Sequence, residues 1–358
     1  MKTGTFSRIA VKIGTHVLTD ESGLLDTAMM DELVHQIAMI RKSGTEVILI
    51  SSGAVASGRG IYTPKRKMDP LSLRQLWASI GQVQLIQEYS RLFENYGTLC
   101  SQVLVTREDF RSRGHYLNIR NCFAVLLKHG IIPIVNENDV VSVTELMFTD
   151  NDELASLVAT MLNVNCLLIL TSVDGVMKTL DSGEQTLIES IGPGDKSHEK
   201  YLLSDTSQFG RGGMLTKAAM AHKVAESGID VRIANGRMNN IIPDVLNNRV
   251  PHTRFIPASG KTNIKKWLQH SMGFEKGEVT VNDGAVKALK TLKAASLLPV
   301  GITRVEGKFQ KGDLLIINNE NNIQIGLGIA RYGDELARQK MGKQHERPLI
   351  HYDYLFLL

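Results

Sequence analysis

Short apolar runs alternate with longer segments of helical periodicity along most of the chain. The apolar runs are rich in β-branched residues and almost free of polar interruptions, which is typical of parallel strands covered on both faces of a sheet. Repeated alternation of such strands with helices predicts a layered α/β domain with right-handed crossovers. The predicted strands are RIAVKIG (8–14), EVILISSG (46–53), LCSQVLVT (99–106), IIPIVNEN (131–138), CLLILTSVDG (166–175) and DVRIANG (230–236).

Segments with helical periodicity fill the intervals between these strands. The segment LDTAMMDELVHQIAMIRKSG (25–44) ends in cationic residues followed by Gly44, which is typical of a helix C-terminus. Further helices are predicted over residues 71–95, 115–129, 152–163 and 214–227.

The pattern changes after about residue 258. Residues 259–276 are predicted to form a linker with a short helix. From Gly277 onward, short alternating strands are separated by glycine and asparagine turns, as in GDLLIINNENNIQIGLGIARY (312–332). We therefore expect an α/β domain over residues 1–258 and a small β-rich domain over residues 277–358.

The composition disfavours several classes of protein. With 41 Lys or Arg and 37 Asp or Glu, the net charge of +4 gives little attraction to nucleic acid or to a membrane surface. The cysteines Cys100, Cys122 and Cys166 have no CxxC spacing, which disfavours a disulfide framework and a zinc site. Because no segment resembles a signal peptide or a transmembrane helix, we expect a cytoplasmic protein without membrane association.

Polar residues recur where the predicted strands end. In an open α/β sheet, ligands bind outside the carboxyl ends of the strands. Loops are commonly polar and glycines commonly make turns, but such endings on four strands favour a ligand crevice. The endings are Lys12, Gly14 and Thr15 on the first strand, Ser51, Ser52 and Gly53 on the second, Asn136, Asn138 and Asp139 on the fourth, and Thr171, Ser172, Asp174 and Gly175 on the fifth.

A second polar cluster, Asp150, Asn151 and Asp152, precedes a run of good helix formers. One of these side chains is expected to cap the N-terminus of that helix. The others remain available, and we expect Asp152 to orient a lysine. A lysine needs a negative partner when it is buried, and Lys12 stands inside the apolar run IAVKIG. Asp139, in the preceding cluster, is suited to accept a substrate ammonium.

The segment GRGGMLTK (210–217) combines glycines with a lysine at the start of a predicted helix. Its spacing differs from the G-x-x-x-x-G-K-[ST] of a P-loop. Glycines let backbone N–H groups approach phosphate oxygens, and a helix N-terminus attracts anions, so Lys217 would reach back toward phosphates. The alternative is a flexible surface loop with a solvated lysine. A second candidate, ASGKT (258–262), is rejected because Phe255 stands where a P-loop has its first glycine.

Six motifs resemble the amino acid kinase family, in the order and at about the spacings of that family. They are VKIGTHVLT, ISSGAVASGRG, IVNENDVV, TDNDELAS, LILTSVDG and GRGGMLTKAAMA. The segments GEVTVNDGAVKALK (277–290) and ASLLPVGI (295–302) resemble a PUA domain. The resemblance covers nearly the whole chain and is strongest to the members that phosphorylate glutamate. It implies an amino acid kinase-type three-layer sandwich around a mainly parallel sheet, followed by a small β-rich PUA-like domain.

The resemblance also implies a reaction. ATP, accompanied by Mg²⁺, would phosphorylate the γ-carboxylate of L-glutamate to L-glutamyl 5-phosphate, the first step of proline biosynthesis. The residues fit this chemistry, because a carboxylate with a pKa of about 4.3 is ionised at neutral pH and needs no general base. The barrier lies in bringing two anions together, so the site needs cations and N–H groups more than proton acceptors.

The family pattern assigns roles to single residues. By resemblance, Lys12 and Lys217 stabilise the transferring phosphoryl group, and Asp152 holds both lysines in place. The residues expected to bind glutamate are Ser52, Gly53, Asn136, Asp139 and Asn151. The residues expected to bind the nucleotide are Lys12, Thr171, Ser172, Arg211, Gly212, Gly213, Met214, Leu215, Thr216 and Lys217. The sequence departs from the family pattern at Ser172, Arg211 and Leu215, which concerns the nucleotide contacts, and His16 is interpreted as a local variation.

The resemblance finally implies L-proline as a feedback inhibitor, a homo-oligomer (dimer or tetramer), and hand-off of the acyl phosphate to glutamate-5-semialdehyde dehydrogenase. One alternative is another member of the family, with carbamate, N-acetylglutamate, aspartate or UMP as acceptor. A second is an RNA-binding protein that acts through the PUA-like domain. Residues 275–358 hold twelve Lys or Arg and ten Asp or Glu, and this small excess of positive charge disfavours RNA.

Overall fold

The structure is a computed structural model that describes residues 6–141, 148, 151–179, 184–195, 213–258, 275–291 and 295–357. It divides into two compact units. The first comprises Met1–Asp109 and Leu117–Gly260, and the second comprises Phe110–Tyr116 and Lys261–Leu358. The domain boundary at residue 258 and the linker over residues 259–276 stay predictions, since residues 259–274 lie outside the described residues.

The first unit is built on a large, mostly parallel sheet. Its strands are β1 (Arg8–Ile13), β2 (Glu46–Ser51), β3 (Cys100–Val105), β4 (Ile132–Glu137), β5 (Cys166–Thr171), β6 (Met177–Thr179), β7 (Gln185–Leu187), β8 (Ser190–Ile191), β9 (Asp230–Asn235) and β10 (Thr253–Phe255). Eight of them form one sheet in the order β3-β4-β2-β1-β5-β9-β10-β8, and β6 pairs with β7. Within the eight-stranded sheet, the pairing of β9 with β10 is antiparallel and the other pairings are parallel. The six predicted strands are all present, and the α/β prediction is confirmed.

The five helices predicted between the strands are present as well, whereas the short helix predicted in the linker lies outside the described residues. The described helices up to residue 258 are α1 (Thr15–Leu18), α2 (Thr27–Lys42), α3 (Ala54–Ile61), α4 (Pro70–Glu94), α5 (Arg107–Arg111), α6 (Arg113–Lys128), α7 (Asn151–Leu162), α8 (Gly213–Glu226) and α9 (Ile241–Leu246). Asp26 caps α2, and Asp69 caps α4 with Pro70 in the first helical position. Asp150, a candidate cap for α7, lies outside the described residues. In the described part of the chain, no helix is long and apolar enough to span a membrane.

Strand β1 shows how the sheet separates two layers of helices. Val11 and Ile13 pack into a core that also contains Leu33 of α2 and Tyr89 of α4. Because side chains alternate along a strand, Lys12 points to the other face, where it meets α7. Helices cover both faces, so the strands are apolar almost throughout. The three-layer arrangement implied by the resemblance is confirmed.

Helices α3 and α4 cross with their backbones in direct contact. A Cβ on Gly81 would lie 1.8 Å from the carbonyl oxygen of Ala54, and a Cβ on Gly58 would lie 1.9 Å from that of Trp77. Only glycine fits at either position without movement of the backbone. Helix α3 begins at Ala54, three residues after β2 ends at Ser51, so its N-terminus lies at the carboxyl end of β2.

The second unit has its own sheet and its own core. Its elements from residue 277 onward are β11 (Gly277–Val281), α10 (Asp283–Thr291), β12 (Ile302–Gly307), β13 (Leu314–Asn319), β14 (Gln324–Ile329), α11 (Asp334–Lys340) and β15 (Leu355–Leu357). The strands form a mixed sheet in the order β12-β11-β13-β14-β15. Val279, Leu315 and Leu349 lie in a hydrophobic cluster formed within this unit. The predicted β-rich character of the C-terminal region is confirmed.

Candidate active site

A buried carboxylate joins two lysines in the first unit. Asp152, the second residue of α7, is fully buried. Its Oδ1 lies 2.6 Å from Nζ of Lys12, and its Oδ2 lies 3.0 Å from Nζ of Lys217. Each carboxylate oxygen therefore pairs with one ammonium group. The structure thus brings together the three residues predicted to be catalytic, which stand far apart along the chain.

Local structure explains how each lysine reaches this point. Lys12 lies on β1, is only 5% exposed, and faces α7 because of the alternation along the strand. Lys217 is the fifth residue of α8, and its Nζ also lies 3.3 Å from the carbonyl oxygen of Gly213, one turn earlier. This direction is expected, since helical side chains lean toward the N-terminus of their helix.

The two ammonium groups determine the charge of Asp152. Burial by itself raises the pKa of a carboxyl group. The charges and hydrogen bonds of Lys12 and Lys217 outweigh burial, and the pKa of Asp152 is lowered from its usual 3.8. Asp152 is therefore ionised at neutral pH, and the cluster of three residues keeps one net positive charge.

The lysine pair opens onto a cavity of about 350 Å³ at the carboxyl edge of the sheet. Its walls come from the ends of β1, β2, β4 and β5 and from the first turns of α3 and α7. The polar endings of these four strands thus meet at one site. The lining residues are Lys12, Gly14, Thr15, His16, Val17, Ser52, Gly53, Ala54, Val55, Ala56, Arg74, Asn136, Glu137, Asp139, Phe148, Asn151, Asp152, Thr171, Ser172 and Lys217.

Asn151 connects the ends of β2 and β4 along one wall of the cavity. Its Nδ2 donates to Oγ of Ser52 at 2.8 Å and to Oδ1 of Asn136 at 3.3 Å. Asn136 in turn donates to Oε1 of Gln82 on α4 at 3.0 Å. Gly53 adopts a φ of 104°, in the left-handed region that favours glycine, and directly precedes α3. Four of the residues predicted to bind the acceptor thus share one wall.

Asp139, the fifth residue predicted to bind the acceptor, is bonded to Arg74 of α4. Nε and Nη2 of Arg74 both donate to Oδ1 of Asp139, at 2.9 and 2.7 Å. Nη2 also lies 3.4 Å from Oε2 of Glu137. Glu137 is buried, and its Oε1 accepts a hydrogen bond from the backbone N–H of Phe148 at 3.0 Å. These three side chains form a second charged cluster on the same cavity.

Sequence reasoning missed Arg74 and Glu137. Glu137 stands inside the NEND motif, between two residues that were singled out, so its position was a usable signal. No comparable sequence signal marked Arg74, because it lies in a long helix and belongs to none of the motifs. Only the packing of α4 against the sheet brings Arg74 to the cavity.

The residues predicted to bind the nucleotide fall into three groups. Those that line the cavity are Lys12, Thr171, Ser172 and Lys217. Those that form the first turn of α8 without lining the cavity in the described part of the chain are Gly213, Met214, Leu215 and Thr216. Arg211 and Gly212 lie outside the described residues.

Hydrogen bonds of backbone groups hold the turn after β1 in place. The N–H of Gly14 donates to the carbonyl oxygen of Leu170 at 3.1 Å, which ties the turn to β5. Nη2 of Arg237 donates to the carbonyl oxygen of His16 at 2.8 Å. The turn is thereby fixed beside Lys12. The interpretation of His16 as a local variation stays a prediction.

Comparison with known proteins supplies the family. The model of the amino acid kinase family matches residues 7–235, more than half of the chain. The chain belongs to the amino acid kinase family. The model of the PUA domain matches residues 277–351, so this amino acid kinase carries a C-terminal PUA domain, as the sequence predicted.

Individual relatives extend over nearly the whole chain. It is 48% identical over 356 residues to a glutamate 5-kinase of Bacteroides thetaiotaomicron, an alignment that covers 98% of this chain and 99% of the relative. It is 48% identical over 354 residues to a glutamate 5-kinase of Chlorobaculum tepidum, covering 99% and 98%. The solved carbamate kinase from Giardia lamblia bound to AMP-PNP is 20% identical with a TM-score of 0.50, and the alignment covers 72% of this chain and 100% of that one. This last similarity supports the amino acid kinase fold.

Proposed function

We propose that this amino acid kinase is an ATP-dependent glutamate 5-kinase. It transfers the γ-phosphoryl group of ATP to the γ-carboxylate of L-glutamate and forms L-glutamyl 5-phosphate, the first step of proline biosynthesis. The observation that carries the proposal is the pairing of Lys12 and Lys217 on Asp152 beside a polar acceptor wall. The nearly full-length identity to glutamate 5-kinases supports the choice of acceptor.

The lysine cluster supplies what this reaction needs. The acceptor carboxylate is already ionised at neutral pH, so the barrier comes from the approach of two anions. Lys12 and Lys217 offer fixed positive charge in a partly buried site, where electrostatic interactions are stronger than in water. Asp152 acts as a positioning residue, because its carboxylate holds the two ammonium groups near each other in spite of their mutual repulsion.

The acceptor wall orients glutamate. Ser52, Asn136 and Asn151 present hydroxyl and amide groups for hydrogen bonds to carboxylate oxygens. Asp139 accepts the α-ammonium group. Fixing the acceptor and the phosphoryl group in one cavity lowers the entropic cost of bringing them together.

Mg²⁺ accompanies ATP in this proposal, and the phosphates of the nucleotide would supply its main ligands. Mg²⁺ is usually held by substrate phosphates with one or two carboxylates, without a dedicated protein cage. Among the described residues, no group of three or more His, Cys, Asp or Glu forms a metal site, and both oxygens of Asp152 pair with lysines. When bound, the ion neutralises charge on the phosphate oxygens. The contacts with nucleotide expected of Thr171, Ser172 and residues 211–217 belong to the same proposal.

ATP turnover by the purified full-length protein tests the function. The acceptors to compare are L-glutamate, N-acetylglutamate, aspartate, carbamate and UMP, with the acyl phosphate trapped by hydroxylamine. We expect stimulation by L-glutamate alone. Stimulation by another acceptor in its place would assign the protein to a different branch of the amino acid kinases.

Regulation and assembly rest on the resemblance alone. Inhibition by L-proline, a homo-oligomer (dimer or tetramer), hand-off of the acyl phosphate to glutamate-5-semialdehyde dehydrogenase and a cytoplasmic location stay predictions. Adding L-proline to the same assay and measuring the mass of the protein by light scattering would test the first two.

A further inference from the structure

Two clusters of opposite formal charge line the cavity, and they are called its two ends below. At the positive end Lys12, Lys217 and Asp152 carry one net positive charge. At the negative end Arg74, Glu137 and Asp139 carry one net negative charge. An acceptor with a carboxylate at one end and an ammonium group at the other matches this arrangement, and the inference below rests on the proposed function.

The negative charge of Glu137 and Asp139 would repel the α-carboxylate of an α-amino acid. Its head group carries an α-carboxylate next to the α-ammonium group, and this carboxylate would lie near Glu137 and Asp139. Like charges that lie close together repel each other more strongly in a partly buried site than in water. A cation is therefore needed beside Glu137 and Asp139, and among the described residues Arg74 is the cation bonded to both.

Some N–H donors of Arg74 make no hydrogen bond within the described residues. A guanidinium group offers five N–H donors. Nε and Nη2 bond to Asp139 and Glu137, whereas Nη1 makes no hydrogen bond or ion pair within the described residues. The side chain of Arg74 is 43% exposed and that of Asp139 is 9% exposed. Arg74 is thus held in place along one edge while the rest of the group stays accessible.

Asp139 keeps a free oxygen in the same arrangement. Both bonds from Arg74 go to Oδ1, and Oδ2 accepts no hydrogen bond in the part of the chain that the structure describes. The pair therefore leaves one carboxylate oxygen and one guanidinium nitrogen available to a ligand. These are the two partners that an α-ammonium group and an α-carboxylate require.

We propose that Arg74 determines acceptor specificity by binding the α-carboxylate of the substrate. In this arrangement Nη1 of Arg74 donates to the α-carboxylate, and Oδ2 of Asp139 accepts the α-ammonium group. We call Arg74 and Asp139 in these roles the clamp. The clamp favours free α-amino acids over acceptors that lack the α-carboxylate or the α-ammonium group. Lys12 and Lys217 remain at the other end for the γ-carboxylate and the phosphoryl group.

Paired variants and substrate analogues test the clamp. The variants are Arg74→Gln, Arg74→Lys and Arg91→Gln. Arg91 is the matched control, since it lies on the same helix, is 59% exposed and pairs with Glu88 outside the cavity. The acceptors are L-glutamate, isoglutamine (α-carboxamide in place of the α-carboxylate) and glutarate (no ammonium group). Each is measured as a substrate, or by its Ki against L-glutamate if turnover is too slow.

Arg74→Gln is expected to raise the KM for L-glutamate by about 10- to 100-fold, the range for a lost charge-assisted hydrogen bond, with kcat within about 3-fold. Glutarate keeps the α-position carboxylate and should lose affinity as well. Isoglutamine should bind Arg74→Gln and the wild type equally. Arg74→Lys should recover part of the preference for L-glutamate over isoglutamine, and Arg91→Gln should behave as the wild type.

Two results would overturn the clamp. If Arg74→Gln weakens L-glutamate and isoglutamine equally and spares glutarate, Arg74 acts only by positioning Asp139. If Arg74→Gln changes none of the three, the α-carboxylate is bound elsewhere, for example by backbone N–H groups at the start of α3. A wild-type protein that does not turn over ATP with L-glutamate would instead overturn the proposed function, whatever the variants do.

Discussion

The charged side chain of Lys12 would be unfavourable in the apolar strand β1 without a partner of opposite charge. A lysine that is 5% exposed loses the hydration of its charge, and only a close carboxylate compensates for that loss. Asp152 provides the compensation, but it divides its two oxygens between Lys12 and Lys217. The three residues therefore act as one electrostatic unit, and substitutions within it are not expected to be additive.

Replacing Lys217 tests this unit. Lys217→Ala is expected to lower kcat by about 10²–10³, the scale for removing one preorganised charge-stabilising group. The KM for L-glutamate should change little, since Lys217 is placed against the phosphoryl group. Lys42→Ala, at the exposed C-terminal end of α2, is the control and should leave kcat unchanged. Retained kcat in Lys217→Ala would exclude Lys217 from phosphoryl transfer.

Helix ends were predictable wherever the signal was local. Helix α4, predicted over residues 71–95, spans Pro70–Glu94, and α7, predicted over residues 152–163, spans Asn151–Leu162. Capping residues and apolar periodicity lie within the segments themselves, so the sequence exposes them. The crossing of α3 and α4 was not predictable, because its two glycines lie more than twenty positions apart and each resembles an ordinary helical glycine.

The crossing leads to a prediction about stability. Gly81→Ala would place a Cβ 1.8 Å from a backbone carbonyl oxygen, so the helices must separate. We expect a loss of about 1–3 kcal/mol in the free energy of unfolding, the usual scale for overpacking, measured by urea denaturation. Gly114→Ala on α6 is the matched control, because its Cβ would meet only Oγ of Ser112 at 3.9 Å. Equal stability of Gly81→Ala and the wild type would contradict the close crossing.

The whole molecule consists of two units with separate cores. Every described residue that lines the cavity belongs to the first unit. The hydrophobic cluster of the C-terminal sheet is formed by residues of the second. A unit with its own core is able to fold alone in principle. Among the described residues, none of the PUA domain lines the cavity.

Deletion of residues 277–358 tests this independence. The truncated protein is expected to fold and to keep glutamate-dependent ATP turnover, because its core and its cavity are retained. Circular dichroism reports folding, and the coupled ATPase assay reports kcat beside the full-length protein. A soluble, folded truncation that is inactive would show that the C-terminal unit is needed for activity.

The sequence by itself determined the order and type of the six strands and five helices predicted in the first unit, the family and the identity of the paired lysines. Periodicity, caps and strand-end motifs are local signals, and Lys12 inside an apolar strand required a negative partner. The tertiary structure decided which groups meet. Arg74 reaches Asp139 and Glu137 because α4 packs across the sheet, and α3 and α4 touch because Gly58 and Gly81 carry no side chain. Such contacts depend on the packing of distant segments, for which no short stretch of sequence carries a signal.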